Sequence, residues 1–331
     1  SKGSLVALDL RTGEILWQRF LTTNDFSGAS VWGSQPSIDT KRGQVFIGTG
    51  QNFDMPADVQ QCARAAYDLH PGDSDAGAEE ARGCHDAYPD KYFDSIIALD
   101  IKTGEINWAN RVVGYDTWHV ACLFGITFIC PDPTGSDSDF GQAPIYFTLD
   151  RGAEQRDVIG VGQKSGQYWL FDAEDGSTIW MTQVSPGGIA GGIQWGSAYD
   201  GERIYTSSAN SDNVEWALPD GSFATGGLWS ALDPATGEIL WQTADPNNAK
   251  SGGAATVANG VVYVCSWDAD GSLYALEAET GDILWSFKSG GSCNSGAAVA
   301  GGEVYWGSGY ASSFDPANTA ADYFRAFTVQ N

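Results

Sequence analysis

The stretch of this chain best suited to chemistry is Asp137-Ser138-Asp139-Phe140-Gly141, where two carboxylates stand two residues apart. Such a pair can divide its work, one carboxylate holding a cation while the other accepts a proton. Two other readings stay open: an Asp-rich loop held by its own turn bonds, or a calcium-binding surface loop over residues 132–139. Other reactive residue types say less. His70, His85 and His119 show no metal-ligand spacing, and His85 follows Cys84 without a Cys-x-x-Cys-His, so no c-type haem attachment is read here. No Gly-x-Ser-x-Gly elbow, phosphate-binding loop or dinucleotide fingerprint appears in a strand–helix context. The six cysteines, without any Cys-x-x-Cys, fit disulfides in an oxidising compartment better than a zinc site. Pairing nearest neighbours in sequence gives Cys62–Cys84, Cys122–Cys130 and Cys265–Cys293, one of fifteen connectivities.

Composition narrows what can position these groups. The 331 residues carry 17 Lys+Arg against 42 Asp+Glu, a net charge of −25, which argues against nucleic acid as a partner. With 42% hydrophobic and 12% aromatic residues, including 13 Trp, the chain can bury a core and is not disordered. No apolar run is long enough to span a membrane. The sequence opens at Ser1 without a charged-then-apolar leader, read as a signal peptide removed or not included, and contains no Asn-x-Ser/Thr sequon.

The architecture follows from a repeat. Residues 4–18 (SLVALDLRTGEILWQ), 95–109 (SIIALDIKTGEINWA), 167–181 (QYWLFDAEDGSTIWM), 228–242 (LWSALDPATGEILWQ) and 272–286 (SLYALEAETGDILWS) share one pattern. Each reads as an alternating strand, an acidic residue, a tight turn ending in Gly, a second strand, and a closing Trp. The acid can accept turn N–H groups, and the Gly tolerates the positive φ such turns need. The turn glycines Gly13, Gly104, Gly176, Gly237 and Gly281 are 91, 72, 61 and 44 residues apart. The shortest spacing matches one four-stranded propeller blade of roughly 40–50 residues, and the longer ones are blades with insertions. Residues 43–50, 203–208 and 261–266 supply further strands, and each repeat Trp is expected to dock between neighbouring blades. The expectation is an all-β protein, a single propeller domain over residues 1–331. Residues 51–94 form an insertion, helical near 73–82 and pinned by Cys62–Cys84.

At the ends, residues 303–308 and 323–329 resemble a second and a third strand, while the N-terminus opens on a third strand and a fourth. The third strand is thus duplicated and the first blade lacks its start. The ring is expected to be N-terminally incomplete, with missing blades upstream or on another polypeptide; a smaller ring with one irregular blade is the alternative.

The Ala-Leu-Asp-x-x-Thr-Gly-Glu-Ile-x-Trp repeat resembles quinoprotein alcohol dehydrogenases, whose eight-bladed propellers bind pyrroloquinoline quinone (PQQ). Residues 31–39 (VWGSQPSID), 45–52 (VFIGTGQN), 114–122 (GYDTWHVAC), 137–144 (DSDFGQAP), 163–166 (QKSG) and 191–196 (GGIQWG) are similar to the polyvinyl-alcohol dehydrogenase branch. The resemblance implies a secreted or periplasmic enzyme that oxidises secondary alcohols to ketones. It places Trp32 as the floor on which the quinone stacks, with Gln194 and Trp195 lining the same cavity. Lys164 answers the quinone's three carboxylates. A calcium or lanthanide ion would take Gln51 or Asn52 after Gly-Thr-Gly, together with Asp139. Gln51 stands where the family has Asn, and the family's second ligand, a Glu, would precede Ser1. Asp137 and Asp139 are the candidates for the catalytic base. Electrons would leave to a separate acceptor, a cytochrome or dye-like molecule. Outer-membrane assembly scaffolds share the repeat without a cofactor, so a cofactor-free binding propeller is the competing reading.

Overall fold

The computed structural model describes residues 2–23, 25–33, 35–88, 92–150, 155–311 and 317–328. Ser1, Ser34, residues 89–91 and Val329, which fall in stretches read above, lie outside them. The chain divides into two compact units, Ser1–Pro144 with Glu174–Ser177, and Ile145–Ala173 with Thr178–Asn331. Among the described residues no helix is long and apolar enough to cross a membrane.

In the first unit, strands Ser37–Asp39, Gln44–Gly48, Ser95–Asp100 and Ile106–Arg111 form a four-stranded antiparallel meander. The hairpin Ser4–Leu8 and Ile15–Phe20 stands as a two-stranded sheet. The second unit holds three four-stranded sheets, which contain the third, fourth and fifth repeats, and a three-stranded sheet ending in Tyr323–Thr328.

The repeat hairpins follow their expected chemistry. Asp9, Asp100 and Asp233 each accept two turn N–H groups on one carboxylate oxygen, at 2.8–2.9 Å. All five turn glycines have positive φ, between 71° and 78°. Each hairpin also carries a register shift just before its turn, at Ala7/Leu8, Ala98/Leu99, Leu170/Phe171, Ala231/Leu232 and Ala275/Leu276. A bulge there re-aims the turn.

The alternation expected of the inner repeat strand is expressed as burial in Ser4–Leu8 and Gln167–Asp172 but not in the others. Ser95–Asp100 and Leu228–Leu232 are buried almost throughout, because sheets covered on both faces bury both sides of a strand. Outer strands such as Ile15–Phe20 keep one face to solvent.

The repeat Trp docks on the turn of the following repeat. Trp17 Nε1 donates to Ile101 O at 3.1 Å, Trp180 Nε1 to Pro234 O at 3.1 Å, and Trp241 Nε1 to Ala278 O at 3.0 Å. A Cβ on Gly104, Gly176, Gly237 or Gly281 would lie 2.3–2.7 Å from the ring carbons of Trp17, Trp108, Trp180 or Trp241. The glycine is therefore a socket as well as a turn residue. Two positions break the series: no described residue lies within 4 Å of where a Gly13 Cβ would be, and Trp285 is 38% exposed.

The three nearest-neighbour disulfides form as expected. Cys62–Cys84 ties α1 (Ala57–Asp68) to a 3₁₀ turn that follows α2 (Ser74–Glu80), so the insertion is helical over more residues than the composition near 73–82 suggests.

Candidate functional site

Four segments of the first unit converge on the Asp137–Asp139 loop. The carboxylate of Asp116 accepts the backbone N–H of Asp137 at 3.1 Å and of Ser138 at 2.7 Å. Its carbonyl accepts the N–H of Asn52 at 3.1 Å. Asp139 Oδ1 accepts the N–H of Gln51 at 2.7 Å, and the next residue, Phe140, donates its N–H to Thr49 O at 3.1 Å. Asp137, Ser138 and Asp139 are all buried, so this is no surface loop, and Asp116 supplies carboxylate acceptors from outside it. Asp132 stays at the surface, paired with Arg64.

Glycine makes the convergence possible. A Cβ on Gly50 would lie 2.3 Å from Asp139 Oδ1 and 3.2 Å from Trp32 Nε1, and one on Gly141 would lie 2.6 Å from Trp32 Cζ2. Trp32 therefore rests on two glycines beside the Asp139 carboxylate, with 40% of its surface open. Gln51 and Asn52 are buried next to it, and Asn52 Nδ2 has no hydrogen-bond partner among the described residues. Five residues singled out from sequence, Trp32, Gln51, Asn52, Asp137 and Asp139, thus share one site.

Sequence reasoning missed two further members, Asp94 and Asp116. Both are fully buried. Burial, and after it the charges of Asp116, Asp139 and Asp137, hold the Asp94 carboxyl well above the usual carboxylate range. The neighbouring carboxylates disfavour one another's charge in this dry site, and Asp94, fully buried among them, is pushed toward its protonated form. A signal was present: the residue before each repeat is Gly3, Asp94, Gly166, Gly227 or Gly271. Asp94 stands in a glycine slot at φ 42°, a left-handed conformation that Asp tolerates better than most residues.

The other candidates lie in the second unit. Lys164 is buried in the turn that closes with Gly166, and its carbonyl accepts the N–H of Gly188 at 3.2 Å. A Cβ on Gly192 would lie 2.4 Å from that carbonyl, so the glycine-rich segment 187–192 is folded onto the Lys164 turn. Gln194 is buried with its amide over Gly191. Trp195 holds φ 66°, which is unusual for a bulky residue, and is 36% exposed. Strained residues of this kind concentrate at functional sites. Lys164, Gln194 and Trp195 thus share a neighbourhood within their own unit.

Residues 1–110 and 224–312 match the PQQ-repeat family described as outer membrane protein assembly factor BamB. Residues 76–194 match the family described as glucose/ethanol/alcohol dehydrogenase, beta-propeller domain. The chain is 32% identical over 220 residues to the polyvinylalcohol dehydrogenase of a Pseudomonas species, covering 62% of this chain and 28% of that protein. It is 31% identical over 258 residues to the polyvinylalcohol dehydrogenase of Sphingopyxis sp. strain 113P3, covering 72% of this chain and 33% of that protein. The chain therefore spans about a third of the length of the curated relatives it matches. Among solved structures, the quinohemoprotein alcohol dehydrogenase of Pseudomonas putida HK5 superposes with TM-score 0.62 at 16% identity, over 93% of this chain and 52% of that one.

Proposed function

The chain belongs to the PQQ-repeat family of β-propeller proteins, and from that premise we propose that it forms part of a quinoprotein dehydrogenase that oxidises secondary alcohols of the polyvinyl-alcohol kind. The observation that carries this reading is the convergence of a half-open Trp32, the Asp137–Asp139 carboxylates and the Gln51-Asn52 amides around Gly50 and Gly141.

The residues suit the cofactor. A flat conjugated quinone gains most from stacking on a large ring, and Trp32 leaves 40% of its surface open for it. Asn52 Nδ2 is a buried donor in want of an acceptor. Among the described residues no three His, Cys, Asp or Glu side chains suffice to hold a metal ion. A calcium or lanthanide ion would instead draw on Asp139 and the amide oxygens of Gln51 and Asn52, the oxygen donors that hard cations take. Lys164, the basic residue that the resemblance implies for a tricarboxylate, is buried in the second unit. When bound, the quinone supplies the acceptor for two electrons. The chain's own part is to orient and to move a proton. The Gln51 N–H fixes the Asp139 carboxylate beside Trp32, which suits it to hold the cation. Asp137, pinned through its backbone by Asp116, is then the base for the substrate hydroxyl. A separate acceptor takes the electrons, and the three disulfides favour an extracellular or periplasmic location.

Titrating PQQ with Ca²⁺ or La³⁺ against Trp fluorescence, alongside a dye-linked assay with a secondary alcohol, tests this. Trp32→Ala should abolish micromolar quinone binding, and Asp139→Asn should weaken the response to the cation. Asp137→Asn should leave quinone binding intact and lower turnover about 10²–10⁴-fold, the usual worth of a general base. The family described as an outer-membrane assembly factor covers the larger share of the chain and favours a second reading, a cofactor-free scaffold. No quinone binding at micromolar concentration by the protein with its completing blades present would select it.

We further infer that additional blades complete this propeller. The empty Gly13 socket and the exposed Trp285 support it, since each suits a partner from the same repeat series.

A further inference from the structure

Apart from the Asp137–Asp139 site, the first unit opens a cleft of about 670 Å³, within the size range of small-ligand pockets. Three aromatic residues line it, Phe53, Trp118 and Phe128, together with the carboxylate of Asp54 and the imidazole of His119. We propose that this cleft binds a small quaternary ammonium ion, an alkylated cation that carries a hydroxyl a few atoms from its charge.

The carboxylate sets the sign of the ligand. Asp54 is exposed, and one of its oxygens accepts the N–H of Met55 at 2.9 Å. Among the described residues no ion pair includes Asp54, and no Lys or Arg lines the cleft. A carboxylate without a cation, set among aromatic rings in a chain of net charge −25, repels anions and attracts a positive charge.

The walls set the kind of cation. An aromatic face attracts a cation through its quadrupole, and more strongly where water is excluded. Trp118 is only 8% exposed, so its ring is wall, and Phe53 meets His119 edge to face with centroids 6.5 Å apart. A primary ammonium would bring three N–H donors into this setting. Among the lining side chains only Asp54 and the hydroxyl of Ser27 stand ready to accept, since Val120 and Ile129 are aliphatic. Donors left unpaired against apolar walls are costly. A quaternary ammonium has no N–H to satisfy, and its methyl groups pack on the rings.

His119 accounts for the oxygen. Its Nδ1 accepts the N–H of Ala121 at 3.1 Å, at the start of the 3₁₀ helix Val120–Phe124, which leaves the ring uncharged with its proton on Nε2. An uncharged donor does not repel a cation and can bond a hydroxyl oxygen of the same ligand. The outer wall is fixed in advance. Phe128 is 87% exposed, yet its loop is closed by Cys122–Cys130 and bonded internally, Cys130 N donating to Ile126 O at 3.1 Å. A wall held in this way loses little freedom when a ligand binds.

The test is calorimetric titration of the full chain, without quinone, in about 0.15 M NaCl, which screens attraction to the chain's overall charge beyond about 8 Å. The probes are choline, its uncharged isostere 3,3-dimethyl-1-butanol, and ethanolamine, the corresponding primary ammonium. Choline should bind at least about tenfold tighter than either. Asp54→Asn keeps an acceptor for the Met55 N–H and should abolish the preference over the isostere. Phe128→Ser should weaken choline about threefold or more, and an unchanged Tm establishes that both variants fold. Asp220→Asn, at an exposed turn of the second unit, should leave choline binding unchanged. No choline binding at millimolar concentration, or equal binding of choline and its isostere, would overturn the site. Ethanolamine binding as tightly as choline would overturn the quaternary ligand. Choline binding that Asp54→Asn and Phe128→Ser leave intact, or that Asp220→Asn weakens as much as Asp54→Asn, would place the cation elsewhere and overturn the proposal too.

Discussion

Asp94 ties the local chemistry of the site to the stability of the protein. Its carboxyl is held above its ordinary range in the folded chain, because burial and the carboxylates of Asp116, Asp139 and Asp137 disfavour its charge. A carboxyl raised in this way contributes stability that is fully present below its ordinary range near pH 4. That contribution is lost as pH rises toward the folded value. Asp94→Asn keeps a residue that tolerates φ 42° and removes the titration. In calorimetry of the metal-free protein the variant should melt above the wild type at pH 8, with the gap closing toward pH 4. The difference in slope from one group is at most about 1.4 kcal/mol per pH unit. Parallel pH profiles would sink this assignment. Adding Ca²⁺ or La³⁺ should narrow the gap, since a cation then does the proton's work.

At the scale of the element, the repeat turn asks two things of its glycine, and the chain separates them. Gly13 and Gly176 share φ 73°, but a Gly176 Cβ would strike Trp108 at 2.3 Å while Gly13 faces open space. Gly13→Ala should therefore cost only the left-handed backbone penalty of about 1–2 kcal/mol. Gly176→Ala should cost a further ~1–3 kcal/mol of overpacking, visible as a lower urea midpoint. Equal losses would mean that the Trp yields freely and the socket is not specific. The hairpins were legible because turn chemistry and a closing Trp recur in one-dimensional order. Trp32, Gln51, Asn52, Asp137 and Asp139 could be singled out through motifs that resemble a family. Asp116 was not legible, since its role is to accept N–H groups 21 and 22 residues away, a pairing that no local pattern records. Asp94 would have been found by asking which repeat breaks the glycine that precedes the others.

For the whole molecule, Trp241 and Trp285 occupy the same place in successive repeats and meet different fates. Trp241 is 7% exposed, sits on Gly281 and bonds Ala278 O; Trp285 is 38% exposed, and its described ring partners are Phe287, in its own strand, and Phe327. Ser4–Leu8 is likewise less buried than Ser95–Asp100, its counterpart in the next repeat. A large buried aromatic removed from a packed site typically costs about 3–5 kcal/mol. In this chain by itself, Trp241→Ser should show a loss of that size, whereas Trp285→Ser should cost about 1 kcal/mol or less, the worth of an exposed aromatic contact. When further blades of the same repeat are present, on a longer polypeptide or a second one, Trp285→Ser should become as costly as Trp241→Ser. Gly13→Ala should then acquire the penalty that Gly176→Ala already carries. Denaturation midpoints of the four variants, with and without those blades, decide the matter. Equal costs for the two Trp variants in the isolated chain would mean that Trp285 already has a socket, and the completing blades would lose their support.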